Sequence, residues 1–139
     1  MRKFLSLFLA VCSAAAFASS TGHNDSIILS NTFTSSFSSA DIVQNSFNCG
    51  HIIVNVTSIS GVSVTPHIQG KDQVTGNYYD ILVGDPIVST GMTVLKVCAA
   101  AKPERGLVAN DMLTQNWRIQ FIMQGSGSIT LSVEDNYNI

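Results

Sequence analysis

The chain has 139 residues, of which 45% are hydrophobic and 12% are charged, and it carries seven Lys and Arg against nine Asp and Glu. This length fits one domain with a single core. The few, scattered basic residues argue against nucleic acid as a partner, because phosphate binding needs clustered Lys and Arg. The charged fraction is well below the roughly 25% usual for soluble domains. The surface must therefore be rich in Ser, Thr, Asn and Gln, which favours a secreted β-protein or a surface that packs against neighbouring copies.

Residues 1–18 have the three parts of a cleavable secretory signal: two basic residues, an apolar run, and small residues on both sides of Phe17. The run is too short to span a bilayer comfortably. The alternative is a buried N-terminal helix. We predict cleavage after Ala18 and a mature chain that is secreted, periplasmic or at the cell surface, with no stable membrane span. Removing two of the seven basic residues leaves five against nine acidic residues, a net charge of −4.

Two regions of different character follow the signal. Residues 19–48 form a leader rich in Ser, Thr and Asn, which we predict to be partly extended, with one part forming an edge strand. Residues 49–139 are the predicted folded domain, because apolar and polar side chains alternate there with a period of two. Ile52–Val56 and Trp117–Met123 are clear examples.

Glycine-containing segments separate the alternating runs. We predict a hairpin loop at 70–77, a strand break at Gly84–Pro86, a turn at Ser60–Gly61, and a hairpin turn at Gly125–Gly127. Six or so short strands and no helix longer than one turn are expected. The pattern predicts an all-β fold, an antiparallel β-sandwich or jelly-roll-like single domain.

Two cysteines, Cys49 and Cys98, remain after the predicted cleavage. In an oxidising compartment an even number of cysteines favours pairing, and a disulfide closing a loop of about 50 residues would stabilise the fold by about 4 kcal/mol. The alternative is two separate buried thiols. A metal site is not expected, because Cys49–His51 supplies two ligands and no second pair lies at ligand spacing.

Catalytic equipment is not evident in the sequence. The three histidines are His23 in the leader and His51 and His67 at outward strand positions, and no nucleophile or base is placed to join them. The paired acids Asp80 with Asp85 and Glu134 with Asp135 lack the dense ligand pattern of a calcium loop. We therefore predict no catalytic residue, no metal and no cofactor, and a protein that is not an enzyme.

Two further predictions concern aromatic residues and the longest loop. Trp117 is expected in the core, and Tyr78–Tyr79 should place one ring on each face of a strand, one in the core and one on the surface. The segment Ala99–Asp111 is the longest predicted loop, and loops carry function more often than strands do. Its polar side chains form the candidate interaction site: Lys102, Glu104, Arg105, Asn110 and Asp111.

Four segments carry a further pattern: His67–Leu82, Ser89–Leu95, Asn110–Leu113 and Trp117–Ile119. Together they resemble a small domain that recurs in tailed-phage genomes. The pattern there is a strand ending in Gly-Lys-Asp, a Gly-Lys/Asn-Tyr-Tyr hairpin, a Thr-Gly turn, and a late Leu-Pro-x-x-Trp-Arg. The resemblance covers roughly residues 50 to 135. It implies a β-sandwich virion component, such as a head-decoration or fibre-associated protein, without enzymatic activity.

This chain differs from that pattern by its secretion signal and by Cys98–Ala100 in place of Tyr-Pro-Gly. Two hypotheses follow. The first is a non-enzymatic structural or assembly module, related to phage virion proteins and exported from the cytosol. The second is a secreted, adhesin-like module that recognises a glycan or a protein. A protein partner or self-assembly is expected in the first case.

Overall fold

The computed structural model describes residues 23–44 and 49–138, which form an all-β fold, as the sequence predicts. The predicted signal peptide lies outside the described residues. Within the described ranges, no helix is long and apolar enough to cross a membrane. Eight strands form one mostly antiparallel sheet: β1 (His23–Phe33), β2 (Phe37–Ser38), β3 (Ile42–Val43), β4 (Cys49–Lys71), β5 (Tyr78–Val83), β6 (Gly91–Cys98), β7 (Val108–Ala109) and β8 (Asn116–Asn138).

The two longest strands, β4 and β8, have 23 residues each and pair antiparallel along nearly their whole length. The predicted turn at Ser60–Gly61 and the hairpin at Gly125–Gly127 are therefore wrong. Gly61 (φ 68°) and Gly125 (φ 102°) instead lie beside a register shift between the two paired strands. Glycine marks bulges and close backbone approaches as well as turns, so the local sequence signal is the same.

The sheet is folded double at these glycines. The rings of Trp117 and Tyr137, near opposite ends of β8, have centroids 6.5 Å apart, whereas twenty residues of extended strand would span about 66 Å. The first layer holds β1, the C-terminal half of β8, the N-terminal half of β4, and β6. The second layer holds β2, β3, the N-terminal half of β8, the C-terminal half of β4, and β5. The result is a two-layer sandwich.

One apolar core lies between the layers, lined by alternate residues of both halves of the long strands. Trp117 is fully buried, as predicted. The largest fully buried side chains are Trp117, Phe121, Ile52, Ile68, Leu95, Ile119, Ile129, Leu131, Val54, Val64, Val97 and Val133.

The described part of the predicted leader belongs to the sheet. β1 is an edge strand, as expected, but β2 and β3 also pair with β8, so residues 23–44 follow that strand through its bend. The rings of Phe33 and Phe37 stack with centroids 3.4 Å apart, and Phe37 stacks on Phe121. This segment pairs with β8 because the N–H and C=O groups of β8 that point away from β4 require hydrogen-bond partners.

Cys49 and Cys98 lie directly opposite each other on β4 and β6 and form a disulfide. The two cysteines are 49 residues apart in the chain, and their bond joins β4 to β6.

Candidate functional site

The loop after β6 covers the sandwich instead of projecting from it. Its β7 strand pairs in parallel with Lys96–Val97, and Leu113 is buried and lies against Gly50. Gly106 is buried with a φ of 72°, and a side chain there would overlap the Asp85 carboxylate. The backbone of this loop therefore closes the open margin between β5 and β6, which gives the loop a structural role that its sequence did not indicate.

The five predicted interaction residues are all exposed, but they do not form one cluster. Lys102, Glu104 and Arg105 carry charges that enter no ion pair within the described residues. The Asp111 carboxylate accepts a hydrogen bond from the neighbouring Met112 amide (2.7 Å), which fixes the local backbone. The three unpaired charges are thus the part of the predicted site that is free to contact a partner.

Asn110 has a structural role in a tight turn. Ala100 has a φ of 62° and donates its amide hydrogen to Asn110 Oδ1 (2.8 Å), while the Ala101 amide donates to the Cys98 carbonyl (3.2 Å). A positive φ at the third position identifies a type II turn, which normally holds glycine there.

A polar network crosses the outer face of the second layer and begins at Asp41. Its carboxylate accepts hydrogen bonds from Lys71 Nζ (2.7 Å) and from the Tyr78 hydroxyl. These bonds, first that of Lys71 and then that of Tyr78, hold the pKa of Asp41 below its usual range. The Arg118 guanidinium lies over the Tyr78 ring, 3.5 Å from its centroid.

The network continues from Arg118 across β4 to β5. Arg118 Nε donates to Gln69 Oε1 (2.9 Å), and Gln69 Nε2 donates to Asp80 Oδ1 (2.9 Å). The same Asp80 oxygen lies 3.2 Å from His67 Nδ1. The side chains of the network bond to one another within the face, so the network stabilises the sheet by linking adjacent strands.

The tyrosine pair is only partly as predicted. Tyr78 and Tyr79 occupy opposite faces, but neither is in the core. Tyr78 lies beneath Arg118, and Tyr79 is 48% exposed and packs against Gly70. The reason is that β5 pairs with the last residues of β4, at the open end of the sandwich, where the inner face is still accessible to water.

The histidines are not brought together. His51 is exposed on the first layer, whereas His67 lies on the second. Asp135 is buried and Glu134 is exposed, so this acid pair points to opposite faces of β8. Across residues 23–44 and 49–138, no group of three or more His, Cys, Asp or Glu side chains is placed to hold a metal ion.

A buried polar cluster at one end of the core was not evident from the sequence. Asp135 is 2% exposed and accepts hydrogen bonds from the Ser26 amide (3.1 Å) and hydroxyl (2.5 Å). Burial raises the pKa of Tyr137, and its hydrogen bond to Asp135 raises that pKa further. The strict alternation of β8 places Asp135 inward, which was the available signal.

Within residues 23–44 and 49–138, two strand edges of the first layer lack a neighbouring strand along part of their length. Among the described residues β1 pairs only with β8, and β6 pairs with β7 only at Lys96 and Val97. The pairing of β1 with β8 shifts register between Ile27 and Leu29. After this shift, Leu29–Phe33 has no partner strand on one side, and neither does Gly91–Leu95 in β6. Neither segment contains a charged residue or Pro. Natural edge strands usually carry such residues because they prevent pairing with other chains.

The open edge of β6 also carries exposed apolar side chains. Met92 is 69% exposed and Val94 is 41% exposed, both on the outer face. Exposed apolar side chains beside an unpaired strand edge are characteristic of surfaces that add a strand from another molecule.

No family model, curated protein or solved structure matches the chain.

Proposed function

We propose that this protein is a non-enzymatic structural module, exported from the cytosol, that assembles with other protein subunits by adding strands at its sheet edges. The observation that carries the proposal is the pair of open, uncharged edges at the two margins of one layer. Strand addition needs a backbone edge without a partner strand and side chains that do not repel another chain, and Leu29–Phe33 and Gly91–Leu95 provide both. Export and the relation to phage virion proteins are parts of this proposal.

The test removes one edge amide from each strand. We expect the purified wild-type chain to form assemblies whose size increases with concentration in analytical ultracentrifugation. The double variant Thr32→Pro, Val94→Pro should stay monomeric, because proline removes a donor from each open edge and is tolerated on edge strands.

The matched control is Thr32→Ala, Val94→Ala, which shortens the same side chains and keeps both amides. It should assemble like the wild type. A wild-type chain that stays monomeric at every concentration and captures no protein subunit would refute the proposal.

A second candidate is the adhesin-like binding module, favoured by the three unpaired charges at Lys102, Glu104 and Arg105. Because charged residues make up only 12% of the chain, three of them exposed on one loop provide a distinctive contact surface. Replacing residues 102–105 with a Gly/Ser linker should abolish binding to a glycan or protein partner without lowering the melting temperature. Unchanged binding would refute this candidate.

A further inference from the structure

The two open edges match each other in strand direction. β1 is antiparallel to β8, β8 to β4, and β4 to β6, so β1 and β6 run in opposite directions. A second copy shifted sideways, without rotation, would therefore present its β1 antiparallel to β6 of the first. The shifted copy would also keep its core-facing side in the same orientation. Pairing of this kind continues the sheet from one molecule to the next.

On both edges, backbone N–H and C=O groups point outward, in the direction that such a pairing requires. The Lys96 amide donates to the Leu107 carbonyl (2.8 Å) and so points away from β4. Alternate residues of a strand share this direction, so the amides of Met92 and Val94 also face the open edge. On β1, Thr32 lies opposite Thr130 and Ser30 opposite Ser132, and the backbone groups of Thr130 and Ser132 face β4. The backbone groups of Thr32 and Ser30 therefore face the open edge, where the Thr32 amide donates to Asn31 Oδ1 (2.8 Å).

One register of β1 against β6 of the neighbouring copy allows the backbone hydrogen bonds to form and keeps the side chains of both strands on matching faces. With Thr32 opposite Met92 and Ser30 opposite Val94, both pairs exchange backbone hydrogen bonds, and the Thr32 amide exchanges its bond to Asn31 Oδ1 for one to the Met92 carbonyl. All four side chains then lie on the outer face. The core-facing residues then pair as Leu29 with Leu95, Asn31 with Thr93, and Phe33 with Gly91.

The pair of Phe33 with Gly91 fits because there is room for the ring. No atom lies within 4 Å of the position that a Gly91 side chain would take, and residues 86–93 line an open depression of about 220 Å³. An aromatic ring placed across from a strand glycine is a favourable cross-strand arrangement. Neither edge segment carries a charge that would oppose the contact.

We infer that the partner of the β6 edge is the β1 edge of a second copy of this chain, in a head-to-tail contact that repeats into an open filament. The inference rests on the proposed assembly function and specifies its partner. A head-to-tail contact joins two different surfaces, so it does not close into a two-fold dimer. The competing arrangements are two-fold pairings of β1 with β1 or of β6 with β6.

The experiment mixes two variants that each lack one edge. Thr32→Pro blocks the β1 edge, and Val94→Pro blocks the β6 edge. Each variant alone should sediment as a monomer, and their mixture should form a dimer and nothing larger. If the Val94→Pro variant dimerises alone, β1 pairs with itself; if the Thr32→Pro variant dimerises alone, β6 pairs with itself. Either outcome overturns the inference and leaves the assembly function standing.

Cross-linking gives a second measurement that does not depend on proline. Asn31→Cys and Thr93→Cys should form a disulfide-linked dimer when mixed and oxidised, whereas each alone should not. The control is Gln124→Cys, at an exposed position away from both edges. Mixed with either of the other two cysteine variants, it should form no disulfide-linked dimer. Homodimers of either cysteine variant would overturn the inference. If the wild type assembles but the mixed cysteine variants form no cross-link, the inference is also overturned. If the wild type never assembles, the proposed function itself is refuted.

Discussion

At the scale of single residues, Ala100 departs from backbone preference. Its φ of 62° lies in the left-handed region, which costs an L-residue about 1–2 kcal/mol relative to glycine. We expect Ala100→Gly to raise the free energy of unfolding by about 0.5–1 kcal/mol, because glycine relieves this strain but loses more conformational entropy on folding. Urea unfolding measures the change. Ala99→Gly is the control and should lower stability; equal effects of the two variants would contradict this account of the turn.

Tyr137 gives the molecule a predicted loss of stability at alkaline pH. Its pKa is raised in the folded state, by burial first and then by Asp135, whereas the unfolded chain has a tyrosine pKa of about 10. The unfolded state therefore loses the proton first. The stabilisation from neutral Tyr137 is complete below about pH 10 and falls as the pH rises further.

Unfolding by urea between about pH 8 and pH 11 tests this prediction. Tyr137→Phe should be less stable than the wild type at the lower pH, because it loses the buried hydroxyl contacts, and should show a smaller fall at the higher pH. Tyr79→Phe, at an exposed ring, should keep the wild-type pH profile. An equally steep alkaline fall in Tyr137→Phe would refute the role of this residue.

At the scale of elements, the bend of β4 and β8 depends on close backbone contact. A side chain at Gly127 would overlap the Ser60 carbonyl oxygen, and one at Gly61 would overlap the Ser126 carbonyl. We expect Gly127→Ala to lower the free energy of unfolding by more than about 3 kcal/mol, since neither backbone can move without breaking the pairing.

Gly76→Ala is the control for that variant. Gly76 has a φ of 75° in the hairpin loop, but no atom lies within 4 Å of its missing side chain. Only the conformational cost of about 1 kcal/mol is expected there. Similar losses at the two positions, measured by urea unfolding, would show that backbone overlap at the bend is not limiting.

At the scale of the whole molecule, the Cys49–Cys98 disulfide joins β4 to β6 across 49 residues. We expect Cys49→Ser, Cys98→Ser to lower the free energy of unfolding by about 4 kcal/mol, because the unfolded chain regains loop entropy. Reduced wild-type protein should match the double variant in urea unfolding. Wild-type stability that does not respond to reductant would contradict the prediction.

The sequence alone determined the all-β class, the cysteine pair, the hairpin at 70–77 and the burial of Trp117. Alternation and turn composition act over a few residues, so these features can be predicted locally. Tertiary structure decided that the glycines at 61 and 125 bend paired strands and do not reverse the chain, that residues 23–44 complete the sheet beside β8, and that the loop after β6 closes the sandwich. It also decided which strand edges stay open. Each of these depends on contacts between segments distant in the chain, and a local pattern carries no information about which backbone lies opposite.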